Sequence, residues 1–200
     1  MITPRLFVYR IVRDFGIAPC IDGGILTLTL CKTRIRARAN AGDYIMALVA
    51  LQHKKIVGVD DDRFYKVAYL FKITEDPVPM TEYEDWCKAK KTRRVNCIYR
   101  KNGTRNNGGP VEKVHLDGKF SLVSTKPHYA AWKSENPYTL RDTDMSAIGS
   151  NVKGKMSKEN GMRDYFSVGL EREQIDALDA LIKKGPKDDE EECVAAVCRK

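Results

Sequence analysis

Two hundred residues, 42% of them hydrophobic, supply one sizeable core and too little chain for two large domains. Thirty-five Lys and Arg stand against 27 Asp and Glu, a formal net charge of +8, which makes polyanions natural partners and leaves the fold open. No apolar run approaches the ~20 residues that span a bilayer, and Met1–Arg13 sets arginines inside its apolar pattern, so neither a membrane segment nor a secretory leader is expected and the chain reads as cytoplasmic.

Leu6–Arg13, rich in β-branched and aromatic residues, reads as a first strand ended by Asp14-Phe-Gly16. Gly23-Gly24 marks a turn before Ile25–Leu30, which alternates strictly and reads as a second strand. Thr33–Asn40 lacks glycine and proline and reads as a short helix, with an edge strand as the alternative. Gly42-Asp43 then reverses the chain into Tyr44–Leu51, a continuous apolar run expected to form a central strand. Phe64–Ile73 follows as a strand with Val67, Tyr69, Phe71 and Ile73 alternating, and Asp76-Pro-Val-Pro79 is expected to prevent further pairing. Thr81-Glu-Tyr-Glu84 has the spacing of a capping box and opens a helix to about Lys90. Asn102–Pro110 is a loop by its Gly and Asn content, and Phe120–Ser124 is a further short strand.

Arg141–Gly161, polar and spotted with glycine, reads as an extended connection or flexible loop. Leu170, Ile175, Leu178, Leu181 and Ile182 recur at helical spacing up to Lys183-Lys184-Gly185-Pro186. Asp188–Glu192 is an acidic solvated run, followed by a last turn through Val194–Val197. Several strands with few, short helices predict an α+β fold: a strongly curved sheet or small β-barrel with flanking short helices and a C-terminal helix. A doubly wound sheet lacks the helices its crossovers need. Residues 1–140 form the main domain in this reading, and 141–200 the polar connection, helix and acidic tail.

The charge is concentrated. Lys32, Arg34, Arg36 and Arg38 fall within seven residues, and they cannot all face a core, because burying unpaired guanidinium groups is prohibitive. On a helix Lys32 and Arg36 share one face, Arg34 and Arg38 another, and Ile35 and Ala39 pack inward. Asp43, placed by the turn, is positioned to hold an arginine or accept from a base edge. Between Lys88 and Arg105 eight basic residues, Lys88, Lys91, Arg93 and Arg94 among them, run without an acid, either as a solvated loop or as a track for phosphates. His53, His115 and His128 sit at unrelated spacings, and the six cysteines lack the paired spacing of a zinc site, so no metal is expected and the thiols read as free. A phosphate-binding loop, a dinucleotide glycine signature and a serine elbow are all missing, so no cofactor is implied. Cys31 beside Lys32 reads as packing before nucleophile.

Gly16-Ile-Ala-Pro19, Thr27-Leu-Thr-Leu-Cys31-Lys32, Ile35-Arg36, Ala41-Gly42-Asp43 and Tyr44-Ile45 together resemble, in order and spacing, the second of the nucleotide modification associated domain families. Ala68–Ile73 with Glu75, Glu82-Tyr83-Glu-Asp-Trp86, Asn96-Cys-Ile-Tyr99 and Phe120–Ser124 extend the likeness, which covers about Arg5 to Tyr138. Cys20, Thr33 and Cys97 depart from that pattern. The Gly-Asp turn and the strands after it also look like the PUA, ASCH and EVE barrels. The resemblance implies a module that recognises a modified nucleobase or nucleotide in DNA or RNA, in a phage or bacterial setting, with nucleic acid or nucleotide as the partner. Pro19, Cys31, Lys32, Arg36, Asp43, Asn96, Tyr99 and Ser124 are then the nucleotide-binding candidates, with Tyr99, Tyr129 or Trp132 to stack a base and Lys32, Arg36 and the Lys88–Arg105 track to neutralise phosphate. An enzyme acting on such nucleotides, built around Asp14 or Asp43, and a protein capturing a small nucleotide signal are the alternatives.

Overall fold

A computed structural model of the chain describes residues 3–11, 18–49, 66–92, 118–156 and 165–187. In chain order its first elements are β1 (Arg5–Ile11), β2 (Cys20–Asp22), β3 (Ile25–Leu28), α1 (Thr33–Arg36), β4 (Tyr44–Val49), β5 (Lys66–Lys72), β6 (Val78–Pro79) and α2 (Tyr83–Ala89). They are followed by β7 (Phe120–Thr125), β8 (Tyr129–Ala131), β9 (Tyr138–Thr139), α3 (Asp142–Ile148), α4 (Ser150–Met156), β10 (Tyr165–Gly169) and α5 (Arg172–Lys184). The class is mixed α+β, as the sequence predicts. The chain divides into two compact units, Met1–Asp14, Gly42–Lys72 and Pro127–Lys187 in one and Phe15–Ala41, Ile73–Lys126 and Asp188–Lys200 in the other.

The first unit is built on one sheet in the order β10-β1-β4-β5-β8, with β9 also paired to β5. β4 is its central strand, parallel to β1 and antiparallel to β5, and all six of its residues are buried. That double burial is why its sequence is continuously apolar instead of alternating. The alternation expected along Val67–Ile73 is broken by a bulge opposite Ala47 and Leu48. The extra residue puts Val67 and Leu70 together in the core formed by Leu6, Val8, Met46 and the helices.

The segment expected to be an extended connection is instead helical over α3 and α4. Met145, Ile148, Val152 and Met156 recur at intervals of three and four and are all buried against the sheet. The break between the two helices is Gly149 at φ 105°. α5 meets the expectation, burying Leu178, Leu181 and Ile182 and opening on a capping box between Glu171 and Gln174. The Tyr44 hydroxyl donates to Asp179 at 2.7 Å, tying α5 to β4, and burial followed by that hydrogen bond pushes the phenol's pKa upward. β10 pairs antiparallel with β1 from Arg5↔Gly169 to Tyr9↔Tyr165, a strand that local pattern did not reveal.

At the start of α3, Asp144 accepts from the Arg141 backbone N–H at 2.9 Å, from the Tyr138 hydroxyl at 2.8 Å and from the Arg141 guanidinium. Burial alone would raise this carboxyl; the Arg141 and Tyr138 donors outweigh it and hold the pKa below the ordinary aspartate value. A lowered folded-state pKa stabilises above the unfolded value of about 3.9, and that contribution is lost as pH falls through the folded value. Asp144→Asn is therefore expected to cost about 1–2 kcal/mol at pH 7 and to have a shallower loss of stability below about pH 4 than the wild type in urea titrations.

The second unit carries the order β2-β3-β7-β6. Gly23 and Gly24, at φ 57° and 71°, make the two-residue turn between β2 and β3, a pair of left-handed positions that suits a type I′ hairpin. β6 is a correction: Val78 and Pro79 pair with Ser121 and Phe120 despite the flanking prolines, because β6 is the edge strand, where a missing N–H is tolerated. α2 begins near the expected place without the expected cap. Glu82, not Thr81, is its N-cap, with no side-chain cap bond, and the turn before it is closed by Glu82 N–H donating to Pro79 O at 2.9 Å. Tyr83 and Cys87 of α2 pack on Val78 and Val123. Among the described residues neither sheet closes into a barrel.

Candidate functional site

The basic segment is folded around one buried arginine. Cys31 and Lys32 both take left-handed backbone, at φ 54° and 46°, and lead into the single turn of α1. Ile35 and Ala39 pack inward as expected. Arg36 is 0% exposed: its Nε donates to Phe120 O at 2.7 Å and its Nη1 to Cys31 O at 3.1 Å. A planar fork of donors joins strand β7 to the strained turn, a bridge that an ammonium has no geometry to make. A Cβ on Gly118 would fall inside the guanidinium, so glycine there is a condition of this arrangement. Beside it, Thr29 and Ser121 hydroxyls are hydrogen-bonded at 2.7 Å, and Tyr83 donates to Thr27 Oγ1 at 3.1 Å.

The same frame turns its other cations outward. Arg34 and Arg38 are exposed and Lys32 is half-buried, while Cys31 is an exposed cysteine. At the end of α2, Lys88, Lys90 and Lys91 are exposed. Lys88 pairs with Glu84 at 2.9 Å and Lys90 with Glu75 at 2.8 Å, surface pairs that hold side chains in place with little net stabilisation. Lys91, at φ 55°, closes the helix where glycine is usual, with Thr92 N–H donating to Cys87 O.

The remaining candidates are distributed differently. Pro19 is buried beside β2 and Ser124 is buried in β7, in register with Leu26. Asp43 belongs to the first unit and does hold an arginine, Arg5, accepting its backbone N–H at 2.8 Å and its Nη2 at 3.0 Å. Cys31, Lys32 and Arg36 are brought together at α1. Arg93, Arg94, Asn96 and Tyr99 lie outside the described residues. Tyr129 is 0% exposed within β8, and Trp132 is half-buried and stacked on Tyr138 at 5.0 Å. Trp86 of α2 is likewise half-buried, packed on the cluster of Val78, Tyr83, Cys87 and Val123. Among the described residues no grouping of three His, Cys, Asp or Glu has the arrangement of a metal site, and no helix is long and apolar enough to cross a membrane.

Fold and surface together define a mixed α+β protein whose second unit presents basic side chains on a framework fixed from inside by a buried arginine. Residues 3–109 match the family model described as nucleotide modification associated domain 2, and the chain belongs to that family. The matched segment contains β1 to β6, α1 and α2, with the whole basic turn and the lysine end of α2. No match was found among the curated proteins or the solved structures. Membership links the chain to nucleotide modification.

Proposed function

We propose that the chain is a binding module that recognises a modified nucleobase or nucleotide in nucleic acid. The observation that carries this reading is the basic surface of the second unit, Lys32, Arg34 and Arg38 beside a turn locked by Arg36, lying inside the family-matched segment. Phosphate contact falls to these side chains and to Lys88 and Lys91, exposed at the end of α2, with Arg93 and Arg94 next in the sequence. Arg36 serves from within, by fixing the turn that carries Cys31 and Lys32. Base selection falls to hydrogen-bonding groups of the same unit, with Asn96 and Ser124 as candidates, while Asp43 serves its own unit by holding Arg5. In this reading the curved sheets are a PUA-like frame, residues 1–140 are the nucleotide-binding domain with 141–200 as its support, and the setting is a phage or bacterial cytoplasm.

The test is to titrate the protein with modified and unmodified single strands, duplexes and free nucleotides while following the nucleotides by mass spectrometry. Saturable binding that favours a modified base, with every mass unchanged, is the expected result. A new product would replace the reader with an enzyme, and binding to free nucleotides alone would replace it with a signal-capturing protein. Arg34→Ala and Lys91→Ala are each expected to weaken single-strand binding and reduce the slope of log K against log salt by about 0.7, the share of one phosphate. Unchanged slopes in both would remove these residues from the phosphate path.

A further inference from the structure

Trp86 sits on α2 with its indole nearly parallel to the ring of Tyr83, centroids 5.7 Å apart at 14°. Tyr83 is itself 0% exposed and anchored through its hydroxyl to Thr27, so the indole rests on an immobile base. Its edge is fixed as well, the indole N–H donating to Glu75 at 3.4 Å. Lys90 Nζ lies over the ring, 5.6 Å from the centroid, and is held there by the same Glu75. Tyr83 stands on the preceding helical turn and Lys90 on the following one, so the two flank Trp86 along the helix. One neighbour of the indole is a buried aromatic ring, the other an ammonium on a flexible, partly exposed stem.

We propose that Trp86 is a stacking platform for an unpaired base of a single strand, the base taking the place of Lys90 Nζ over the indole. A cation above an aromatic ring is exchangeable for a planar π-system, and the displaced ammonium, with Lys88 and Lys91 on the same helix end, is then at hand for the phosphates flanking that base. Three exposed lysines within four positions fit a run of phosphates better than one nucleotide, which favours a strand as the occupant. This inference rests on the nucleotide-binding reading and assigns it a specific aromatic contact.

The chain has two tryptophans, so Trp132→Phe leaves Trp86 as the only indole. In that variant an oligothymidylate is expected to quench tryptophan emission, with the same midpoint as binding followed by the anisotropy of a labelled strand. An abasic strand of equal length, with the same phosphates and no rings, is expected to bind without quenching. Trp86→Leu in the wild-type background is expected to weaken oligothymidylate binding about 10- to 100-fold while sparing the abasic strand. Binding by anisotropy with unaltered Trp86 emission would overturn the platform and leave the binding module standing. No binding of any strand or nucleotide would overturn both.

Discussion

Arg36→Ala is expected to lower the stability of the protein by about 3–5 kcal/mol in urea denaturation, because it removes two charge-assisted hydrogen bonds to main-chain carbonyls and empties the buried space of a long side chain. The carbonyls are those of Phe120 and Cys31, and the side chain is 0% exposed. Arg36→Lys is expected to recover less than half of the loss, since one ammonium on a flexible stem does not reproduce the planar fork. Gly118→Ala attacks the same bridge from the other side, its methyl group occupying the place of the guanidinium. If Arg36→Ala cost less than about 1 kcal/mol, its hydrogen bonds would not be what fixes the basic turn.

Gly149→Ala is expected to cost about 3–4 kcal/mol, through backbone strain of about 1–3 kcal/mol and the loss of a buried amide's hydrogen bonds. Gly149 stands at φ 105° and ψ 149°, a region that L side chains rarely adopt. Its added methyl group would strike the Gln174 amide, which donates to Ile148 O and to Asn151 Oδ1 at 3.0 Å and accepts from the Glu171 backbone N–H at 2.9 Å. The variant thus strains the junction of α3 with α4 and the start of α5 together. Thermal or urea unfolding of Gly149→Ala beside Gly154→Ala, where a Cβ meets nothing within 4 Å, separates this effect from general helix propensity.

What was legible in the sequence was whatever local pattern determines. β1, β3, β4, β5 and β7 follow from runs of β-branched and apolar residues, the Gly23-Gly24 turn from its two left-handed positions, and α5 from its apolar spacing and its basic, glycine-ended last turn. α3 and α4 were obscured because Gly149, Gly154 and the polar residues between them hide four apolar positions at helical spacing. β10 and β6 exist through partners 164 and 43 positions away in register, Arg5 with Gly169 and Val78 with Ser121, and pairing over such separations leaves little trace in the strand itself.

The candidate site shows the same division. That the basic segment forms a short helix with Ile35 and Ala39 inward was readable from periodicity. That Arg36 would be the buried member was not, because the acceptor that makes its burial tolerable, Phe120 O, is 84 residues away. Of the two roles the sequence leaves open for Asp43, an arginine holder or an acceptor for a base edge, the fold shows it holding Arg5, which comes from a strand 38 residues earlier. Trp86 read as a helix residue, and only its setting between Tyr83 and Lys90 distinguishes it from ordinary packing.

The most direct measurement of the central claim is the affinity of the intact protein for a labelled single strand at several salt concentrations. A surface that engages about three phosphates predicts log K falling with log salt at a slope near −2. Binding that is absent at low salt, or a slope indistinguishable from zero, would contradict the account.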